Sequence, residues 1–182
     1  LSRTKELADA ALAVLGTRDD IAVTELCLMD EPLQYFSEGF FAQRERLLAA
    51  KELDHPRFRY AHQFAEADAI VIAAPFWDLA FPALLKVYIE NVSVEGITFG
   101  CNASGCFGIC RAQRMLFLTT RGGSYDGAPD EMGARYLEAL CGFFGIPRFD
   151  CVAADGLDLG LRPVEEILAE AKSKAAALAA AL

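Results

Sequence analysis

Three short stretches carry side chains able to do chemistry, and each opens or follows a regular element. Ser2, Arg3 and Thr4 set two hydroxyls and a fixed cation at the start of the amphipathic pattern "RTKELADAALAVL". A helix N-terminus leaves its first N–H groups without acceptors and carries partial positive charge, so this trio makes a phosphate site in miniature. The plainer alternative is that Ser2 or Thr4 caps the helix. Pro75, Phe76, Trp77, Asp78 and Leu79 follow the apolar run "AIVIAA". Large aromatics at a strand-to-helix turn are costly to expose unless a flat ring covers them, and turn amides could meet that ring's polar edge. Equally, Phe76 and Trp77 could pack under a neighbouring loop or subunit while Asp78 caps the next helix. Thr120, Arg121, Gly122 and Gly123, with Tyr125 just beyond, follow "RMLFL". Paired glycines let backbone approach a ligand closely and the phenol can donate a hydrogen bond, or the pair simply makes a turn.

These stretches share a location only through the elements that carry them. Periodicity predicts a helix over Arg3 to Leu15, then a strand, "IAVTELCL", over Ile21 to Leu28. Two helical patterns follow, "FFAQRERLLAAKEL" and "RFRYAHQFAEA", with Pro56 suited to the first turn of the second. A strand over Ala69 to Ala74 leads to a helix over Phe81 to Val92, with Pro82 in its first turn. Small and apolar residues alternate around "NASG", which predicts a hairpin or flap between Ile97 and Cys110. The rest reads as a strand in "RMLFLTTRGG", a helix in "DEMGARYLEALCGFFG" stopped by Gly145 and Pro147, a short strand in "FDCVAADGL", and an Ala-rich helix from Pro163 to Leu182.

Strands alternating with helices argue for a doubly wound α/β fold, a parallel sheet covered on both faces in three α/β/α layers. The chain opens at Leu1, without Met, directly in a helix that such a fold enters from a strand. A first strand upstream of Leu1 is therefore expected, bringing the count to five. Ligands of such sheets bind beyond the carboxyl ends of the strands, where residues 1–4, 75–79 and 120–125 all fall.

Composition narrows the partners. The 182 residues fit one domain, 1–182, and their 54% hydrophobic content comes in blocks far shorter than the roughly 20 apolar residues of a membrane span. A net charge of −9 repels nucleic acid and anionic membrane, so any bound phosphate must rely on local amides and one or two placed cations. No signal peptide is visible, since the first residues are the polar start of an amphipathic helix. Cys27, Cys101, Cys106, Cys110, Cys141 and Cys151 are scattered in a chain that does not need staples, and reduced thiols in a cytoplasmic protein are expected. The spacing of Cys101, Cys106 and Cys110 is neither a paired CxxC nor an iron–sulfur run, so no metal is expected there. His55 and His62 lie at a helix start without an evident catalytic partner and read as surface or capping residues.

In order along the chain, "SRTKEL", "APFWDL", "LLKVYIENV", "GITF" and "TTRGG" resemble the FMN-dependent NAD(P)H oxidoreductases of the azoreductase and quinone-reductase group. The resemblance covers nearly the whole chain and is closest from Asp68 to Gly123. It implies a flavodoxin-like homodimer with one FMN at each sheet edge and a substrate pocket at the subunit interface. Ser2, Arg3 and Thr4 would hold the phosphate; Pro75, Phe76, Trp77, Asp78 and Leu79, with Thr120, Arg121, Gly122 and Gly123, would frame the isoalloxazine. Phe99 would line the substrate pocket of its own or the partner subunit, and Tyr125 would stabilise the N1/O2 edge of reduced flavin. The implied reaction passes hydride from NADH or NADPH through FMN to an aromatic acceptor: a quinone, azo compound or nitroaromatic. Asp78 stands where many azoreductases carry asparagine, and Tyr125 where a histidine is often found. Two other readings stay open: an FMN electron carrier serving a protein partner, and a flavin-free structural or regulatory dimer.

Overall fold

The computed structural model describes residues 2–182; Leu1, which opens the first chemical stretch, lies outside the described residues. At its centre runs β4 (Arg114–Thr120), parallel to β1 (Ala69–Ala73) on one side and to β5 (Phe149–Ala154) on the other. Met115 to Thr119 are all buried, as expected of a central strand covered on both faces. Side chains alternate across a strand, and β4 divides its apolar set accordingly. Leu116 and Leu118 face one helical layer; Met115 and Phe117 face the other.

The first layer is α1 (Arg3–Leu15) and α6 (Val164–Ala179). Helix α1 buries Leu7, Ala11 and Leu15, one face at a spacing of four, while α6 presents Ile167, Leu168, Ala171, Ala175 and Ala179. The second layer consists of α3 (Arg59–Glu66), α4 (Ala83–Val92) and α5 (Gly133–Phe144). Tyr60, Phe64, Leu85, Ile89, Leu137 and Phe144 pack there under Met115 and Phe117. A smaller cluster joins Leu47 of α2 (Glu38–Ala49) to Phe58, Ala61, Val94 and Ile97. Pro56 opens a 3-10 turn before α3, capped by the His55 ring, whose Nδ1 accepts from the Arg57 amide at 3.1 Å.

Three sequence expectations are corrected. The segment 21–28 is extended but not a strand: a strand exists through its ladder, and no described residue pairs with this one. Its Ile21, Leu26 and Leu28 still touch the two core clusters, while Val23 stays exposed. Helix α4 begins at Ala83 rather than Phe81, because Pro82 takes the extended cap position, and Asp78 caps nothing. Two of the six cysteines are not free thiols. In the hairpin of β2 (Phe99–Asn102) and β3 (Gly105–Gly108) the register sets Cys101 directly opposite Cys106, Cα atoms 4.0 Å apart, and they form a disulfide. Cys27, Cys110, Cys141 and Cys151 remain free.

This hairpin sits where β4 begins, not where it ends. The Cys110 amide donates to the Phe144 carbonyl and Phe99 stacks on Phe143 at 4.7 Å, both at the last turn of α5. Gly108 passes so close to that turn that a Cβ on it would stand 1.8 Å from the Phe144 carbonyl carbon. The opposite edge of the sheet, where β1, β4 and β5 end and α1 starts, collects residues 2–4, 75–79 and 120–125.

Candidate functional site

The end of β4 gathers its neighbours through backbone rungs. The Phe76 amide donates to the Thr120 carbonyl at 3.1 Å, extending the β1–β4 ladder by one step. On the other side the amides of Leu157, Asp158 and Gly156 donate to the carbonyls of Arg121, Gly122 and Gly123, at 3.1, 2.9 and 2.9 Å. From below, Thr4, buried in the first turn of α1, places its hydroxyl 2.6 Å from that of Thr120. Four loops thus converge, one more than the sequence reading found. The fourth, 155–163, follows β5, and the rule that drew attention to the ends of the other strands applied equally to its "ADGLDLG".

At the first loop Ser2 is the N-cap of α1, its hydroxyl accepting from the Lys5 amide at 3.3 Å. Arg3 reaches across to Asp158, guanidinium to carboxylate 2.8 Å, with the two side chains 42% and 66% exposed. So exposed a pair contributes at most about 1 kcal/mol, which leaves Arg3 able to change partners.

The second loop is a tight two-residue reversal. Trp77 and Ala80 exchange both backbone bonds, at 3.3 and 2.9 Å, while Asp78 and Leu79 between them adopt φ of +49° and +65°. Positive φ at both central positions is the type I′ geometry, natural for Asn and Gly and unfavourable for leucine by roughly 1–2 kcal/mol. The turn persists because the Leu79 carbonyl is held at 2.9 Å by the Met132 amide, and Gly133 lets Ala80 approach the start of α5. Trp77 is 59% exposed, with Leu79 and Met132 also exposed beside it. The amides of Asp78 and Leu79 donate to no described residue.

In the third loop the amides of Gly122 and Gly123 likewise lack acceptors among the described residues, because only their carbonyls are taken by the fourth loop. Close packing accounts for the glycines. A Cβ on Gly122 would stand 2.5 Å from the Asp158 carboxylate, and one on Gly123 2.9 Å from the Tyr125 ring. Tyr125 packs its ring on Phe76, centroids 4.6 Å apart, so the second and third loops touch through aromatics.

Arg121 behaves unlike its neighbours. Its amide donates to Ala154, its carbonyl accepts from Leu157, and its side chain, 4% exposed, turns inward to Glu131 at 3.0 Å and Asp155 at 3.6 Å. It has no backbone group to offer a ligand, contrary to its expected place on the rim. Glu131 and Asp155 were not singled out from sequence, because neither stands in a motif. Phe99 is also elsewhere: stacked on Phe143 it is separated from the loops by most of α5, about 15 Å at 1.5 Å per residue.

A cavity of about 540 Å³ lies beneath the third loop, between α5, α6 and the outer edge of β5, lined by Arg121, Glu131, Arg135, Cys151 and Lys174 among others. Neither Pro75–Leu79 nor the paired glycines line it. Burial pushes the Cys151 thiol up to about 11, so it stays protonated at neutral pH. Among the described residues no group of three or more His, Cys, Asp or Glu is placed to hold a metal, and no helix is long and apolar enough to cross a membrane.

Residues 1–179 match a family described as flavodoxin-like fold. An FMN-dependent NADH:quinone oxidoreductase of Clostridium perfringens is 49% identical over 121 residues, 66% of this chain and 61% of that protein. One of the same description from Caldicellulosiruptor saccharolyticus is 40% identical over 128 residues, 69% of this chain and 64% of its own length. The matched parts thus span less than two thirds of these curated relatives. Among solved structures, an azoreductase from Bacillus anthracis superposes over 100% of this chain and 92% of its own, with TM-score 0.88 and 27% identity.

Proposed function

The chain belongs to the flavodoxin-like fold family, and from that premise we propose that it is an FMN-dependent NAD(P)H oxidoreductase reducing quinones, azo compounds or nitroaromatics by two-electron transfer. One observation carries the reading. Four amides without acceptors among the described residues, those of Asp78, Leu79, Gly122 and Gly123, stand on two loops that flank an exposed tryptophan and share a sheet edge with Arg3 and the start of α1. Unpaired amides beside a large exposed aromatic suit a flat ligand with a polar edge, and a cation at a helix N-terminus suits its phosphate. The relatives named for FMN, NADH and quinone support the choice of ligand and reaction.

The residues fit the cofactor in type and position. Ser2 and Arg3, with the backbone amide of Thr4, whose hydroxyl is turned inward to Thr120, would hold the phosphate, with Arg3 released from Asp158. Pro75, Phe76, Trp77, Asp78, Leu79, Thr120, Gly122 and Gly123 would frame the ring, and Arg121 would support that frame from within. When FMN is bound, the chemistry it supplies is hydride acceptance from NADH or NADPH and delivery of two electrons to the acceptor. The protein would bind and orient: the glycine amides, with the Tyr125 hydroxyl, would be donors for negative charge developing at the N1/O2 edge. No hydrogen bond to that hydroxyl exists among the described residues, which leaves it free to donate.

Phe99 reaches such a site only from a second copy, so a homodimer in which one subunit's hairpin covers its partner's slot is part of the proposal. So are the chain acting as one domain, 1–182, and its place in the cytoplasm. The test is anaerobic titration of the FMN-loaded chain with NADH and with NADPH, followed by benzoquinone. Bleaching of the flavin band and its return on adding quinone are expected; failure of both reductants to bleach it would overturn the assignment.

A further inference from the structure

Arg121 stands between Thr120 and the glycine pair, yet it points into the protein. A guanidinium buried against two carboxylates is a poor device for stability, since desolvation offsets most of the attraction and apolar residues of similar size serve as well. What this group does have is connections. Asp155, 3.6 Å from Arg121, accepts the Tyr125 amide on both oxygens at 3.1 and 3.0 Å. Glu131, 3.0 Å away, accepts the Ala134 amide at 3.0 and 3.2 Å and so fixes the first turn of α5. That turn supplies the Met132 amide holding Leu79 in its left-handed conformation. The guanidinium itself lies 5.4 Å from the centroid of Phe76, which also packs against the Tyr125 ring.

We propose that Arg121, through Glu131 and Asp155, is the positioning residue that locks the Trp77–Ala80 turn and the Gly122–Tyr125 loop into one rigid wall without touching the ligand itself. A planar fork can serve two carboxylates in different directions and still lie beside an aromatic ring; a lysine ammonium cannot reproduce this. The inference rests on the FMN reading for its consequence, but its first observable needs no cofactor.

The experiment compares the native chain with Arg121→Met, Arg121→Lys and Asp155→Ala. Amide hydrogen exchange is measured on the cofactor-free protein, and FMN dissociation constant and flavin midpoint potential on the loaded protein. In Arg121→Met the amides of Tyr125, Ala134 and Met132 should exchange at least tenfold faster, with Leu116 to Leu118 of β4 unchanged. FMN should bind at least tenfold more weakly, and the potential should move negative as the donors at the reduced edge lose their aim. Arg121→Lys should recover only part of this; Asp155→Ala, which removes the acceptor of the Tyr125 amide, should free Tyr125 alone and decides the matter should Arg121→Met not fold. Exchange at those three amides within twofold of native, or a uniform rise that includes β4, overturns the proposal. If the native chain does not bind FMN, the functional reading fails while the exchange data still judge the positioning role. Local loosening with unchanged FMN affinity and potential would reject the role in the site.

Discussion

Replacing Trp77 by alanine separates what the exposed aromatic does for the fold from what it does for a ligand. The side chain is 59% exposed, so about two-fifths of the roughly 150–250 Å² that a buried aromatic hides is already shielded, some 60–100 Å². At about 25 cal/mol per Å² this is worth at most about 2.5 kcal/mol of folding free energy. A domain stable by about 5–15 kcal/mol survives that loss, and the cofactor-free variant should melt a few degrees lower as a single folded species. The exposed remainder is surface a planar ring can cover. Aromatic stacking on a flat heterocycle contributes about 1–3 kcal/mol, which converts to an affinity fallen by about fivefold to 150-fold. Because Trp77 is the single tryptophan of the chain, the native titration reports itself: FMN should quench indole emission to saturation. The dissociation constant of Trp77→Ala is then read from flavin fluorescence. Absence of quenching in the native protein, or a variant that binds FMN within twofold of native, would refute a flavin lying against this loop.

Three further outcomes follow from particular contacts. Gly108→Ala sets a Cβ 1.8 Å from backbone of the α5 C-terminus, where no side chain can swing away. Urea unfolding should show a loss of at least about 1–3 kcal/mol, with the hairpin amides exchanging fastest. The thiols of half-buried Cys110 and Cys151 and of buried Cys141 are pushed up to about 11 by burial. They stay neutral in the folded chain while the unfolded chain ionises, so their contribution to stability is level below about pH 8.5, and stability should fall as pH rises from there toward 11. Denaturant midpoints across that range check the sign, and a rise would contradict it. Without reductant, thiol counting on the unfolded chain should find four free cysteines, and six after reduction, since only Cys101 and Cys106 are joined.

Much of this protein is written locally. Helices α1, α4, α5 and α6 follow from apolar residues at helical spacing and from stops such as Gly145, whose φ of +78° only glycine takes easily. Strands β1, β4 and β5 follow from short apolar runs ending at Pro75, at the glycine pair and at Gly156. Those signals act within a few residues, so the sequence alone determined the layered α/β plan and the sheet edge at which 2–4, 75–79 and 120–125 meet. It could not determine what depends on partners distant in the chain. Whether 21–28 is a strand rests on a neighbour's hydrogen bonds. Whether Cys101 and Cys106 are thiols rests on hairpin register, and where Phe99 lies rests on the packing of Gly108 against α5. Arg121 is the sharpest case: a cation beside two glycines reads as a ligand contact, yet Glu131 and Asp155, 10 and 34 residues away, turn it inward. Charge pairing in a buried site is settled by which side chains the fold brings within a few ångströms, and that distance is a property of the tertiary structure alone.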